Sequence, residues 1–555
     1  MKKNHLLLIA AITCVLHSCS KKDETPTPPA PVPSSFSCSD ITINGSQSFN
    51  GKNYFDVGRQ PSLRFKFGAP LERSSVADNI VLLGATANVI NCSTSFEDDD
   101  SVVVLKPSST LTALSQFKVS AYTSLTSKSG GKLNNAISLS FVSSIDSTDK
   151  FPRISDNELL DLIQQKTFKY FWDLGHPVSG LARERNSSGD LVTTGGSGFG
   201  IMALVAMVDR GFKTRAEGLQ RMKTIVSFLQ TADNFHGAFP HWLDGNTGKV
   251  IPFSANDNGA DLVETSFLMQ GLLTARQYFN QAVPDEVALR QDIDSLWRRV
   301  EWSWFQNGTN SLYWHWSPDK QWVMNMPVSG WNEALITYIL AASSPTHPIQ
   351  KAVYDQGWAK NGNIRNGSSY YGIPLPLGDA FGGPLFFSHY SFLGLNPTGL
   401  KDAYADNYFV QNKNHTLINY NYCKINARGF FGYSDACWGL TASDIPNGYT
   451  ASSPSNDVGV IAPTAAISSL PYTPEESMRA IRFFYYKLGD KLWGDYGFKD
   501  AFSLKDLWFA DSFLAIDQGP QIVMIENYRS KLLWNLFMSS PEVKTGLTKL
   551  GFSGF

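Results

Sequence analysis

A change of hydrophobic period near residue 150 constrains this chain more than any other feature. From about Phe36 to Ile145 apolar residues alternate in short runs, as in Ser62-Leu-Arg-Phe-Lys-Phe67, Val102-Val-Val-Leu105 and Phe117-Lys-Val-Ser-Ala-Tyr122. Clusters of Gly, Asn, Ser and Asp separate them. A period of two, broken by turn residues, predicts strands with one buried face, here a small β-sandwich over 36–146. Beyond Phe151 the period becomes helical. Amphipathic stretches recur at 155–173, 198–211, 214–232, 260–280, 284–306, 330–343, 473–489 and 519–537. Capping boxes are expected at Ser155 with Glu158, Thr214 with Glu217, and Thr473-Pro474 with Glu476. Long loops rich in Gly, Pro and aromatics, 307–329 and 361–390, interrupt the helices, and loops of that length in a compact domain are usually functional. Many helices in one region, 150–555, fit a bundle or an α/α toroid. The toroid is favoured because its loops converge on one open cleft.

The N-terminus carries a different signal. Lys2 and Lys3 precede the apolar run Leu6 to Leu16, too short to span a bilayer, which marks a signal peptide over 1–18. Leu16-His17-Ser18-Cys19 resembles a bacterial lipobox, so Cys19 is the expected lipidated residue. Ser20-Lys21-Lys22-Asp23-Glu24 resembles the tag that sends some lipoproteins to the cell surface, and a stiff Pro-rich tether completes 19–35. The expected location is the bacterial outer membrane, lipid-anchored at the cell surface, or otherwise the periplasm. Pro61-Ser-Leu-Arg-Phe65, Leu105-Lys-Pro107 and Ser138-Leu-Ser-Phe141 resemble bacterial Ig-like domains, read here as a spacer. Export permits disulfides, and Cys38–Cys92 is one candidate pairing among Cys38, Cys92, Cys423 and Cys437.

Chemistry concentrates in Asp257-Asn-Gly-Ala-Asp261-Leu-Val-Glu264. The acids fall at i, i+4 and i+7, one stripe of a helix, and a buried carboxylate costs several kcal/mol unless a polar cleft or partner compensates. Asp257 is also the natural cap for that helix. About seventy residues on, Gly330-Trp331-Asn332-Glu333 sets another acid among apolar and aromatic neighbours. Acids opposed across an aromatic cleft suit glycosidic hydrolysis, one protonating the leaving oxygen and one activating water. A formal charge of -2 offers no basic field for nucleic acid. The 14 tryptophans supply surfaces for sugar faces, although most large rings belong to the core. No Cys or His spacing reads as a metal site. Gly195-Gly-Ser-Gly198-Phe-Gly200 lacks the third glycine of a dinucleotide loop, and His236-Gly-Ala-Phe-Pro-His241-Trp242 could supply a His pair to a lyase or substrate contacts to a hydrolase.

Taken together, Gly198-Phe-Gly200, His236 to Trp242, Gly259 to Gly271, Gly330 to Glu333, Ser344-Pro-Thr-His347, Cys437 to Asp444, Pro471 to Ser477, Ala515-Ile-Asp-Gln-Gly-Pro520 and Met524 to Arg529 resemble the glucoamylase-like domain of glycoside hydrolase family 144. The resemblance runs from about Ile154 to Lys549. It implies a mainly α, (α/α)6 toroid and an inverting hydrolase without metal or organic cofactor. Members include endo-β-1,2-glucanases and sophorose-releasing exo-enzymes, so the implied partner is a β-glucan chain. It further implies Glu333 as general acid, with Asp257, Asp261 and Glu264 in the cleft. The base stays open between Asp517 and that acidic stripe. His241, Trp242, Trp331, Asn332 and Trp438 are the implied sugar contacts. A glucoamylase-type α-glucan hydrolase, a non-catalytic glycan-binding lipoprotein and a polysaccharide lyase remain alternatives.

Overall fold

The computed structural model describes residues 33–555, so the signal peptide, Cys19 and nearly all of the tether lie outside the described residues. The chain divides into two compact units between Ser143 and Ser144. In the first, strands β1 (Cys38–Ile43), β2 (Ser46–Gln47), β3 (Asn53–Val57), β4 (Leu63–Phe67), β5 (Ile80–Leu83), β6 (Val89–Ile90), β7 (Cys92–Glu97), β8 (Val102–Pro107), β9 (Gln116–Ala121) and β10 (Ile137–Ser143) form two five-stranded sheets. The orders are β2-β1-β4-β8-β7 and β3-β10-β9-β5-β6. Alternation seats Leu63, Phe65 and Phe67 inward, and they share a core with Phe117, Val119, Leu139 and Phe141 of the other sheet.

That topology overturns the Cys38–Cys92 disulfide. Both thiols are free. They sit on β1 and β7, three strand spacings apart, roughly 14 Å. A disulfide needs α-carbons within about 7 Å.

The second unit alternates two kinds of helix. Helices α1 (Asp156–Trp172), α3 (Arg215–Thr231), α5 (Pro284–Arg299) and α9 (Pro474–Leu492) bury one stripe and face solvent with the other. Between them in sequence run α2 (Thr194–Asp209), α4 (Leu262–Tyr278), α6 (Leu335–Ser343), α8 (Pro463–Ile467) and α10 (Ala515–Arg529), buried over most or all of their length. The turns Leu385–Ser388 and Tyr390–Leu393 supply the sixth inner segment, and α7 (Tyr408–Ile425) stands outside it. With the short helical segment Lys351–Val353 and Tyr354–Trp358 between α6 and those turns, inner and outer segments alternate to make the (α/α)6 toroid.

The glycine-rich segment of α2 is a packing device. A Cβ on Gly198 would stand 2.2 Å from the Phe267 carbonyl oxygen of α4, and one on Gly271 would stand 2.2 Å from that of Gly198. A Cβ on Gly196 would stand 2.6 Å from the Ala515 side chain of α10, and one on Gly200 2.5 Å from the Phe171 ring of α1. Only glycine lets the inner helices approach this closely.

Boundaries differ from expectation where local chemistry intervenes. Two capping boxes form, at Ser155/Glu158 and Thr214/Glu217. Thr473 makes no cap; its hydroxyl turns back to the Ser469 carbonyl. The stretch 284–306 breaks after Arg299 into a short 3-10 turn, Trp302–Gln306, and 519–537 belongs to two helices, α10 and α11 (Leu532–Ser539). Helix α7 was not expected, because its inward face is polar.

Gly198→Ala should therefore lower stability by about 1–3 kcal/mol. Thermal denaturation followed by circular dichroism should show a lower Tm. Gly448→Ala, where nothing lies within 4 Å, should leave it unchanged. Equal Tm values for both variants would contradict the close-approach account.

Candidate active site

The site is built on the start of α4. The short strand Ala260–Asp261 pairs with His315–Trp316 and delivers Asp261 to the helix N-terminus. Asp261 Oδ1 accepts the N–H groups of Val263 (3.0 Å) and Glu264 (2.9 Å). Its Oδ2 faces His241 Nδ1 at 3.0 Å and His315 Nε2 at 3.5 Å. Asp257 belongs to the preceding loop, its Oδ2 lying 3.3 Å from His315 Nε2. Two expectations are thereby corrected. The helix begins at Leu262, so the three acids do not form a helical stripe, and its cap is Asp261 rather than Asp257.

The acids differ by environment. Burial pushes Asp257 up to about 6, with the neighbouring Asp261 charge adding to it. Asp261 itself is wholly buried. Burial opposes its charge, yet both histidines hold its carboxyl well below the usual range. Burial alone would lower the His241 imidazole, but Glu264, Asp261 and Asp257 outweigh it and raise it to about 9. His315 is likewise raised against the effect of burial. Asp257, Asp261 and His315 bring ligand-type atoms within 4.8 Å of one another. Both Asp261 oxygens are engaged by helix N–H groups and imidazoles, whereas the buried His315 Nδ1 has no hydrogen-bond partner among the described residues.

Glu264 projects the other way, into a cavity of about 440 Å³. Its Oε2 accepts the Gly195 N–H at 2.7 Å, at the N-terminus of α2, where helix dipole and free amide favour an anion. Burial and the Asp261 charge nevertheless raise its pKa, while His241 opposes them. Glu333, two residues before α6, lines the same cavity, and burial pushes its carboxyl up to about 7. Aromatic groups wall the space: Trp242, Phe253, Trp314, Phe386, Tyr390 and Tyr449. Phe253 lies against His241 and Trp242, with ring centroids 4.3 and 4.7 Å apart.

Several expected contacts lie elsewhere. Trp438 is fully buried, donates its indole N–H to the Glu476 carbonyl and packs on Tyr420, so it cannot stack on sugar. Trp331 is also core, stacked near Phe392 and Tyr408, and Asn332 Oδ1 accepts the Ala334 N–H in a turn. Neither lines the cavity. Asp517 sits buried in the first turn of α10, hydrogen-bonded to Asp500. Burial, then the Asp500 charge, hold its carboxyl well above the usual range, and it does not line the cavity. His236 pairs with Glu301 and stacks on Trp304, outside the cavity lining, so no His pair of the lyase kind is assembled.

The structure adds residues that sequence reasoning missed. Glu184 and Arg185 line the cavity, with Arg185 Nε 2.9 Å from Glu184 Oε2. Adjacent opposite charges read as an ordinary solvated surface. His315 carried a usable signal, standing between Trp314 and Trp316 inside the long loop 307–329.

The family model Glycoamylase, described as a glucoamylase, matches residues 325–541. An exo β-1,2-glucooligosaccharide sophorohydrolase (non-reducing end) of Parabacteroides distasonis is 50% identical over 420 residues, covering 72% of this chain and 58% of that protein. The chain thus matches less than two thirds of that relative's length. The crystal structure of an endo-β-1,2-glucanase from Chitinophaga pinensis, bound to sophorotriose and glucose, superposes with a TM-score of 0.71 at 54% identity, covering 72% of this chain and 99% of that one. A β-1,2-glucanase structure from Parabacteroides distasonis gives a TM-score of 0.70 at 39% identity, covering 93% of this chain and 73% of the other.

The charge network makes its own prediction. In a ¹⁵N-resolved NMR titration His241 should titrate near 9, and Asp261→Asn should move it down towards the ordinary value of about 6.5. A wild-type midpoint near 6.5 would contradict the network.

Proposed function

Because the chain belongs to the glucoamylase-like glycoside hydrolases of family 144, we propose that it hydrolyses β-1,2-glucan with inversion at the anomeric carbon. Relatives bearing β-1,2-glucanase and sophorohydrolase names at 54% and 50% identity support the substrate. One observation carries the chemistry. Two carboxyl groups, Glu333 and Glu264, line one aromatic-walled cavity; burial raises both, and His241 and the Gly195 N–H act against it at Glu264. Glu333 is raised to about 7 by burial and by the charges of Glu264 and Asp261, so it holds a proton near neutrality. At Glu264 the Gly195 N–H and the His241 charge favour the ionised form against the effect of burial.

In this reading Glu333 donates its proton to the glycosidic oxygen as the C1–O bond breaks. Glu264 takes a proton from a water attacking the opposite face of the ring. Inversion needs roughly 6.5–9.5 Å between the carboxyl groups to admit that water. Trp242 and Phe253 offer ring faces to sugar, and His241 offers its second ring nitrogen. Asp261 and Asp257 act behind them, through His241 and His315.

We also propose that the protein is a lipoprotein anchored at Cys19 in the outer membrane, on the lipobox-like Leu16-His17-Ser18-Cys19. Cys19→Ser should abolish incorporation of labelled palmitate and release the protein from the membrane fraction. Retained label would refute the anchor.

Glu333→Gln should keep substrate binding and lose turnover by about 10²-fold or more. The wild-type kcat/KM should fall as pH rises through about 7, since the acid must be protonated. Both are measured on a panel of linkage-defined glucans with products sized by chromatography. Near wild-type turnover in Glu333→Gln removes Glu333 from the role, and cleavage of α-1,4-glucan alone overturns the substrate.

A further inference from the structure

A second depression, about 480 Å³, opens at the turn end of the hairpin Ala442–Ile445/Gly448–Ala451. The hairpin is a shared wall. Ala442, Tyr449 and Ala451 line the catalytic cavity, while Asp444, Ile445 and Gly448 line the depression. Arg185 lines both, bonding Glu184 on one side and Asp444 Oδ2, at 3.1 Å, on the other. The two spaces thus adjoin at Arg185 and the hairpin.

Its chemistry is that of a neutral polyol site. Hydrogen-bonding groups of both senses meet there: the Arg185 guanidinium, the Asn186 amide, the Ser512 hydroxyl and the Asp444 carboxylate. The carboxylates of Asp444 and Asp511 disfavour a polyanion. Trp508 supplies a flat apolar surface, held in the short hairpin Phe502–Ser503/Trp508–Phe509. Among the described residues the other partly exposed tryptophans, 172, 242, 304, 314, 316, 322 and 493, each pack against another aromatic ring. Trp508 has no such ring contact among the described residues. A partly exposed indole beside mixed donors and acceptors suits stacking on a sugar face.

We propose that this depression is a distal subsite binding a further glucose unit of the chain whose scissile bond lies in the catalytic cavity, with Trp508 as its platform. The proposal rests on the hydrolysis of β-1,2-glucan argued above. It makes Trp508 a determinant of chain-length preference rather than of chemistry.

The test is kcat/KM of the full chain on β-1,2-glucooligosaccharides of increasing length, for wild type, Trp508→Ala and Trp508→Phe, with unchanged Tm as the check on folding. Wild type should gain with length. Trp508→Ala should lose about tenfold on the long substrates, about 1.4 kcal/mol, and nothing on the shortest one cleaved, while Trp508→Phe should recover part of the loss. An equal loss at every length, or no loss at any, would overturn the subsite while leaving the hydrolase reading intact. No turnover of any β-1,2-glucan by wild type would instead overturn that reading, and the subsite with it.

Discussion

The site depends on how closely two inner helices approach. Where α2 crosses α4, Gly198 and Gly271 leave no room for side chains, and the backbones meet directly. That approach brings the first amides of α2 against the first turn of α4, so the Gly195 N–H reaches Glu264. A Cβ at Gly195 would stand 2.4 Å from the same carboxylate. The glycines that resemble a nucleotide loop in sequence are therefore a packing surface with a carboxylate anchored at its end. Fold and chemistry share one constraint.

Around that anchor, charge is sorted by partner rather than by residue type. Asp261 spends one oxygen on the helix start and the other on two imidazoles. It stays ionised while wholly buried because breaking such a pair would strand a charge. The protonated His241 in turn places positive charge beside Glu264. Glu333 gains burial and like charge but no cation, so it keeps its proton. Asp261, Glu264 and Glu333 thus differ by the groups around them rather than by residue type.

Much of this was legible in the sequence. The change of period near residue 150 marks the boundary between the two units, and the outer helices announce themselves by one-sided patterning. Glu333 and Glu264 stand out as acids in apolar surroundings, and both reach the cavity. The helical stripe failed because the chain is extended through Ala260–Asp261 and becomes helical only at Leu262. Helix α7 was hidden because its buried face carries Gln411, Asn412, His415 and Asn419, polar side chains whose hydrogen bonds hydropathy cannot register. Trp438 and Trp331 misled for the opposite reason: a tryptophan in a motif looks like a sugar platform, yet most large rings fill cores.

The central claim is that Glu333 and Glu264 act on opposite faces of the sugar with a water between them. Time-resolved proton NMR of β-1,2-glucan hydrolysis tests it most directly, read before mutarotation obscures the anomer. Each newly released reducing end should appear first as the α-anomer, since water attacks opposite the leaving oxygen. A first-formed β-anomer would mean a covalent intermediate and a double displacement, and would contradict the claim.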